Sequence, residues 1–172
     1  MKLRGLVRSF RGRKVSMVKL LLDTTYLLPI FGVSVKLKDY NVLFPKLINK
    51  YSIFYNPVSL IEAKWIVIGL SRRKPSIREV LLSRFREGLR AILGDERFSQ
   101  TVLTNSEVEE IADELLLRYG VNDYFDRIIY ATAVHYNTAL LTEDEELHNL
   151  LKIKEAPKPR EVIRWEDIIK RL

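Results

Sequence analysis

Residues 125–147 read FDRIIYATAVHYNTALLTEDEEL and combine a helix, a strand and an acidic run. Asp123 precedes this stretch as a good N-cap, so we expect a helix that runs to about residue 136. The mainly apolar residues 138–142 then predict a short buried strand, and the four acids 143–146 lead into a short helix. Adjacent carboxylates at the mouth of a core strand repel one another. The fold must therefore supply something that compensates their charge.

The composition predicts one globular domain. The chain has 172 residues, of which 47% are hydrophobic, and this is enough for a substantial core. It contains no cysteine and two histidines, which excludes a disulfide framework, a thiolate zinc site and a cysteine nucleophile. No apolar stretch approaches the about 18–20 residues of a membrane span, and the N-terminus lacks the apolar core of a signal peptide. We expect a cytoplasmic protein that does not contact a membrane.

The net charge of +7 is concentrated at the N-terminus. Residues 1–16 hold six basic side chains and no acid, which leaves 23 of the 29 basic side chains against 22 acids in the rest of the chain. We expect residues 1–16 to be a basic arm or extension and residues 17–172 to be the folded domain. Three interpretations of the arm stay open: it binds phosphates with release of counterions, it is a disordered tail, or it is an upstream extension of a protein whose natural start is Met17.

Short apolar runs alternate with helical patterns along the rest of the chain. The predicted strands cover residues 18–22, 51–55, 98–103 and 138–142, with a last edge strand at residues 152–155. The predicted helices cover about residues 35–50, 59–70, 75–93, 106–119 and 123–136, with a short one after the acidic run and another within residues 160–172. This alternation predicts parallel strands in a three-layer α/β/α sandwich, whose ligands bind beyond the carboxyl ends of the strands.

Four acids occur where a strand gives way to a helix or within the first turn of a helix, namely Asp23, Glu62, Asp126 and Asp144. Each has a structural interpretation: Asp23 as a cap, Glu62 as the capping-box partner of Ser59, and the other two as first-turn acids favoured by the helix dipole. The parallel topology can gather all four at one edge of the sheet, without an evident basic partner near them in sequence. Their charge then points to a bound Mg²⁺ or Mn²⁺, since these ions prefer oxygen ligands. Such a cation supports phosphodiester hydrolysis.

Three stretches resemble the PIN-domain nucleases, and especially the toxin of VapBC-type toxin–antitoxin modules. They are LLLDTTYLL at residues 20–28, SLIEAKWIV at residues 59–67 and the stretch at residues 125–147 quoted above. The resemblance extends from about residue 19 to residue 150. It implies a mainly parallel five-stranded sheet, dependence on Mg²⁺ or Mn²⁺, cleavage of RNA, and an antitoxin protein as a partner.

By motif position, Asp23, Glu62, Asp126 and Asp144 correspond to the catalytic acids of the family. We expect Asp23, Asp126 and Asp144 to bind the metal directly or through water, and Glu62 to bind it or to orient the attacking water. Thr24 and Thr142 are the hydroxyls beside this set; Thr142 either orients a carboxylate or metal-bound water or is a neutral filler. Glu146 is the auxiliary acid that we choose before Glu145. Asp123 is better explained as a cap than as a ligand.

Two features depart from a compact toxin of this family. The segment of residues 72–94 is long and basic, and we expect it to form either a clip over the substrate or a packing helix. Within them Arg72, Arg73 and Lys74 are candidates for phosphate contacts, with a solvated loop as the alternative. The apolar helix around Trp65 predicts a homodimer interface, with burial in the core as the alternative.

Two other functions compete with a metal-dependent ribonuclease. In a phosphatase or phosphotransferase, Asp23 would be phosphorylated as a nucleophile, but residue 25 is a threonine rather than a second acid, and no lysine clearly follows a late strand. A noncatalytic RNA-binding or assembly module that kept the fold would bind RNA even without the acids.

Overall fold

The computed structural model describes residues 17–172 and contains a five-stranded sheet. The basic segment 1–16 lies outside the described residues, so the expectation for it stays a prediction. The strands are β1 Lys19–Leu22, β2 Ser52–Tyr55, β3 Phe98–Gln100, β4 Ala139–Leu141 and β5 Glu161–Ile163.

All neighbouring strands are parallel, in the order β3-β2-β1-β4-β5. At the centre, Leu21 of β1 lies between Phe54 of β2 and Leu140 of β4. The chain builds from β1 towards β3 and then returns to the other side of β1, so the order reverses between β1 and β4. In open parallel sheets, a crevice forms at the carboxyl ends of the strands at such a switch point. The parallel five-stranded sheet confirms the sequence prediction and places Asp23 and Thr142, which follow β1 and β4, beside this crevice.

Helices cover both faces of the sheet. They are α1 Tyr40–Lys50, α2 Pro57–Arg73, α3 Arg78–Gly94, α4 Ser106–Tyr119, α5 Tyr124–His135, α6 Glu145–Asn149 and α7 Trp165–Ile168. Because successive strand side chains point to opposite faces, Leu20 and Leu22 pack with α1, α3, α7 and most of α2, whereas Leu21 packs with α4, α5 and α6. The chain therefore forms the predicted three-layer α/β/α sandwich. No helix in residues 17–172 has both the length and the apolar character needed to span a bilayer.

The prediction of a last edge strand at residues 152–155 is wrong. That region follows a 3₁₀ turn at Leu150–Lys152, and the fifth strand is Glu161–Ile163 instead. Ile153 is 38% exposed, whereas Val162 and Ile163 are buried. Charged residues surround the single apolar side chain Ile153, so residues 152–155 have little to bury against β4.

The predicted capping box at Ser59 is also wrong in position. Helix α2 begins at Pro57, and Asn56 is its cap, since the Asn56 side chain accepts a hydrogen bond from Val58 N at 2.8 Å. Proline at the first helical position has a φ already suited to a helix, which moves the start ahead of Ser59. Asn105 caps α4 in the same way.

Three further details of the sequence prediction need correction. Helix α1 begins at Tyr40 rather than near residue 35, and its N-cap Asp39 has a left-handed φ of 53°. Strand β3 ends at Gln100 rather than at residue 103. Trp65 is 64% exposed, so its interpretation as a core residue is wrong, and a surface role stays open.

Close packing of α3 holds the chain that leaves β1. Gly88 of α3 lies against the backbone of Ile30, in the 3₁₀ turn Leu28–Phe31, so closely that a Cβ would lie 2.9 Å from the Ile30 carbonyl carbon and still nearer to its oxygen. Beside this contact, the rings of Phe31 and Phe85 stack with centroids 4.7 Å apart. The turn that follows Asp23 and Thr24 is thereby fixed against the helical layer.

We expect Gly88→Ala to lower the free energy of unfolding by about 1–3 kcal/mol, because the added methyl group must displace backbone. Gly94→Ala is the matched control, since Gly94 lies in the last turn of the same helix and a Cβ there has no atom within 4 Å apart from its chain neighbours and helix backbone. Alanine there should raise the free energy of unfolding by up to about 1 kcal/mol through helix propensity. Urea denaturation measures both changes, and equal effects of the two substitutions would contradict this packing.

Candidate metal centre

A hydrogen bond joins the ends of the two central strands. The hydroxyl of Thr142 donates to the Asp23 carboxylate at 2.6 Å, although the two residues are 119 positions apart in the sequence. The other carboxylate oxygen of Asp23 accepts from the backbone N–H of Thr24 at 2.5 Å. All three residues are buried. The parallel pairing of β1 with β4 is what brings them together.

Glu62 approaches this pair from helix α2. The start of α2 is fixed by the buried side chain of Asn56, whose amide also donates to the Thr132 hydroxyl of α5 at 2.8 Å. From there, the half-buried carboxylate of Glu62 accepts a hydrogen bond from the Thr24 hydroxyl at 2.5 Å. Thr24 and Thr142 therefore each hold one acid of the predicted set.

Two short loops bring the remaining acids to the same crevice. Asp123 caps α5 by accepting from Phe125 N at 2.8 Å, as expected, and Asp126 follows in the first turn of that helix. Asp144 caps α6 by accepting from Leu147 N at 2.9 Å, while its own N–H donates to the Thr142 hydroxyl at 3.0 Å. Asp126 and Asp144 are both half-buried.

The pKa shifts show that the four carboxylates lie within electrostatic reach of one another. The pKa of Asp126 is raised to about 8, chiefly by burial and then by the charges of Asp23, Asp123, Asp144 and Glu62. The pKa of Asp23 is raised to about 6, because burial and the charges of Glu62 and Asp144 outweigh the hydrogen bonds from Thr142 and Thr24, which lower it. The pKa of Glu62 is raised mainly by burial. The crevice is thus a concentrated negative site.

In the part of the chain that the structure describes, basic side chains do not neutralise this charge. Six ion pairs occur within residues 17–172, and none of them includes Asp23, Glu62, Asp126 or Asp144. From these same residues the Asp126 carboxylate also receives no hydrogen bond that would lower its pKa. A half-buried carboxylate without such a partner is unfavourable in the ionised form.

The donor set fits a hard divalent cation, since it consists of carboxylate oxygens, the ligand type that Mg²⁺ and Mn²⁺ prefer. As the side chains stand, no three histidine, aspartate or glutamate residues in the described part of the chain are arranged to hold one ion together. Both oxygens of Asp23 and one oxygen each of Glu62 and Asp144 accept hydrogen bonds within the protein. The free carboxylate of Asp126 is the most available ligand in the crevice.

The acidic run at residues 143–146 divides into four separate environments. Asp144 faces the other acids, Glu145 pairs with Arg164 at 2.5 Å, and Glu146 is exposed, so its auxiliary role stays a prediction. Glu143 accepts hydrogen bonds from the Tyr26 hydroxyl and from the backbone of Trp165. The sequence analysis missed Glu143. A buried tyrosine needs a hydrogen-bond partner, but nothing local in the sequence shows that this partner is Glu143.

The basic residues predicted to contact phosphate lie away from the acids. Arg72, Arg73 and Lys74 are exposed at the C-terminal end of α2. With a rise of about 1.5 Å per residue, Arg73 lies about 16 Å from Glu62 along the helix axis. Residues 72–80 are all exposed and form the tip of the α2–α3 hairpin. A role for them requires a substrate long enough to span this distance.

The family model of the PIN domain matches residues 20–152. No curated protein matches the chain. A chain of VapBC2 from Rickettsia felis, in a structure bound to a DNA fragment from their promoter, is 19% identical with a TM-score of 0.56, and the match covers 86% of this chain and 99% of that one. For PAE2754 from Pyrobaculum aerophilum the identity is 18%, the TM-score 0.56 and the coverage 90% and 94%. DNA-bound VapBC from Salmonella typhimurium is 18% identical with a TM-score of 0.54, and the match covers 87% of this chain and 99% of that one.

At these identities the structural matches show a shared fold alone. The family match is stronger, because it extends over most of the chain and includes the loops that follow β1 and β4. The chain therefore belongs to the PIN domain family.

Proposed function

We propose that this protein is a metal-dependent endoribonuclease that hydrolyses RNA phosphodiesters, and that it acts as the toxin of a toxin–antitoxin module in the cytoplasm. The observation that carries the proposal is the half-buried Asp126 carboxylate, which faces three other acids without a basic partner within residues 17–172. A site that concentrates negative charge in this way is suited to a cation. Family membership favours nuclease chemistry at the same edge of the sheet.

Asp23, Asp126 and Asp144 would hold Mg²⁺ or Mn²⁺. When bound, the cation would lower the pKa of a water molecule and neutralise charge that develops on the phosphodiester. Thr142 orients Asp23, and Thr24 orients Glu62, through the hydrogen bonds described above. Glu62 would bind the ion or orient the attacking water, and its pKa, which burial raises, favours a role as a general base.

Arg72, Arg73 and Lys74 are proposed to contact the phosphates of an RNA strand that extends from the crevice along α2. Their exposure and positive charge support this role. Each contact of this kind releases counterions, so binding should weaken as salt rises.

An antitoxin protein and a second copy of the chain are the proposed protein partners. The structures of VapBC from Rickettsia felis and Salmonella typhimurium, which share this fold, carry DNA.

In the present chain, Ile61 and Trp65 are exposed one turn apart on α2. They adjoin a groove of about 280 Å³ lined by Trp65, Ile66, Gly69, Leu70 and Arg73. We assign the apolar residues of this face, without Arg73, to the homodimer.

The dimer proposal predicts that Trp65→Arg converts a dimer into a monomer, because a charge would be buried without a partner. Light scattering coupled to gel filtration measures the mass. Val42→Arg, which replaces an exposed residue of α1 (63% exposed), is the matched control and should leave the mass unchanged. A wild-type monomer, or a dimer that survives Trp65→Arg, would contradict the assignment.

Cleavage of a labelled RNA tests the enzymatic proposal. We expect cleavage with Mg²⁺ or Mn²⁺ and none in EDTA. Loss of a side chain that only supports a metal ligand costs about 10–100-fold in metal affinity or activity. Asp23→Asn and Asp126→Asn should each reduce the rate by more than this, because each changes a proposed ligand. Asp113→Asn, which removes an exposed acid of α4, is the control and should keep full activity.

The outcomes of this assay also separate the competing functions. Cleavage that persists in EDTA, or in both site variants, would contradict the metal mechanism. RNA binding without cleavage in any metal would favour a noncatalytic module. A phosphorylated Asp23 would favour a phosphatase.

The raised pKa of Asp126 predicts a change in thermal stability. Its folded-state pKa of about 8 lies above the unfolded value of about 3.9, so the stability from this group is present at acid pH and is lost as the pH rises from about 4 to about 8. At pH 8 in EDTA, Asp126→Asn removes this penalty. Allowing for solvent screening, the gain is on the order of 1 kcal/mol, or about 2–4 °C in Tm.

With Mn²⁺ the wild type should become more stable than Asp126→Asn, because the ion binds the wild-type carboxylate and not the amide. Differential scanning fluorimetry at pH 5 and pH 8, with and without Mn²⁺, measures these shifts. Equal Mn²⁺-induced shifts in the two proteins would show that Asp126 does not bind the ion.

A further inference from the structure

Glu143 belongs to a second link between the two loops that carry the acids. The first link is the Thr142–Asp23 hydrogen bond. The second is the hydrogen bond that the Tyr26 hydroxyl donates to Glu143 at 2.5 Å, across 117 positions of sequence. The loops after β1 and β4 are therefore joined at two points, through the two consecutive residues that precede Asp144.

The Glu143 carboxylate is also fixed from the C-terminal segment. The same oxygen that accepts from Tyr26 accepts from the backbone N–H of Trp165, the first residue of α7, at 2.7 Å. The Trp165 indole is buried and donates to the Lys38 carbonyl at 2.8 Å. The Tyr26 and Trp165 rings lie with centroids 5.9 Å apart. Glu143 thus joins a rigid aromatic frame to the loop.

This anchor matters because the loop depends on tertiary contacts, which also include the buried side chain of Leu147 and the His148 ring nitrogen 2.9 Å from the Thr142 carbonyl oxygen. Helix α6 has five residues, and a helix of this length is not stable by itself. The backbone conformation at Asp144 therefore depends on contacts of the neighbouring side chains. Thr142 and Glu143, the two residues before Asp144, provide such contacts to Asp23 and to Tyr26.

Glu143 does not act as a fifth acid of the crevice. The charges that act most strongly on Asp126 are those of Asp23, Asp123, Asp144 and Glu62, and Glu143 is not among them. Its carboxylate is instead turned towards Tyr26 and Trp165. A carboxylate held in this way is suited to orienting its neighbours.

We propose that Glu143 is a positioning residue, which, through the hydrogen bonds from Tyr26 and Trp165, holds Thr142 and Asp144 in the orientation that the metal centre requires. This inference rests on the proposed metal-dependent function. Outer partners of this kind orient metal ligands, and their loss costs about 10–100-fold in metal affinity or activity.

Mn²⁺ affinity of the full chain, measured by electron paramagnetic resonance of free Mn²⁺, tests the role of Glu143. Tyr26→Phe removes the hydroxyl alone and should weaken Mn²⁺ binding about 10-fold. Glu143→Ala should weaken it at least as much. Glu143→Gln keeps a carbonyl oxygen that can accept both hydrogen bonds, so its affinity should stay within about 2-fold of the wild type. Glu145→Ala removes an equal charge from the other side of Asp144 and is the control.

The combined variant distinguishes positioning from general loss of stability. Because Tyr26 and Glu143 act through one hydrogen bond, Tyr26→Phe with Glu143→Ala should bind Mn²⁺ no more weakly than Glu143→Ala alone. Thermal unfolding shows whether each variant is folded. If Glu143→Ala does not fold, the single substitutions Tyr26→Phe and Glu143→Gln still test the inference.

Two outcomes would overturn the inference alone, and a third would show that the proposed function itself fails. Wild-type affinity in Tyr26→Phe would show that the link is irrelevant to the site. Equal losses in Glu143→Gln and Glu143→Ala would show that Glu143 acts through its charge. If the wild-type protein binds no Mn²⁺, the metal centre itself is wrong, and the role of Glu143 is wrong with it.

Discussion

The hydrogen bond from Thr142 to Asp23 connects the ends of two strands, although these residues are 119 positions apart in the sequence. It forms because β1 and β4 are parallel neighbours at the point where the strand order reverses. The loops that leave these strands diverge to opposite layers of helices, and the opening between them receives Glu62 from α2 and Asp126 from α5. Without this pairing, the four acids would belong to separate parts of the surface.

The concentration of acids makes the crevice unfavourable for stability in the absence of a cation. Desolvation raises the pKa of both Asp23 and Asp126, and the neighbouring negative charges add to this effect. The protein limits the penalty with threonine hydroxyls and backbone N–H groups, which stabilise individual carboxylates without neutralising them. Sites that retain an unfavourable charge arrangement commonly do so for function. The proposed cation would offset the repulsion that the hydroxyls leave.

The sequence predicted the parallel sheet and the residues at its carboxyl edge well, because both follow from local patterns. Asp23 ends an apolar run, and Asp126 lies three residues after a strong N-cap, so their positions relative to the strands and helices could be inferred directly. Features that depend on contacts between distant segments could not. The exposure of Trp65 depends on how α2 packs, and the role of Glu143 depends on Tyr26 and Trp165, which are remote in sequence. The last strand was predicted at residues 152–155 instead of Glu161–Ile163, because neither of these short segments has a distinctive apolar pattern.

The central claim is that the carboxylates at the ends of β1 and β4 bind a hard divalent cation. Anomalous diffraction from a crystal grown with Mn²⁺ tests it most directly, because the signal locates the ion without reference to activity. The account predicts a peak at about 2 Å from a carboxylate oxygen of Asp126, with Asp23 and Asp144 bound to it directly or through water. Mn²⁺ that binds elsewhere, or a lysine or arginine side chain that fills the crevice in its place, would contradict it.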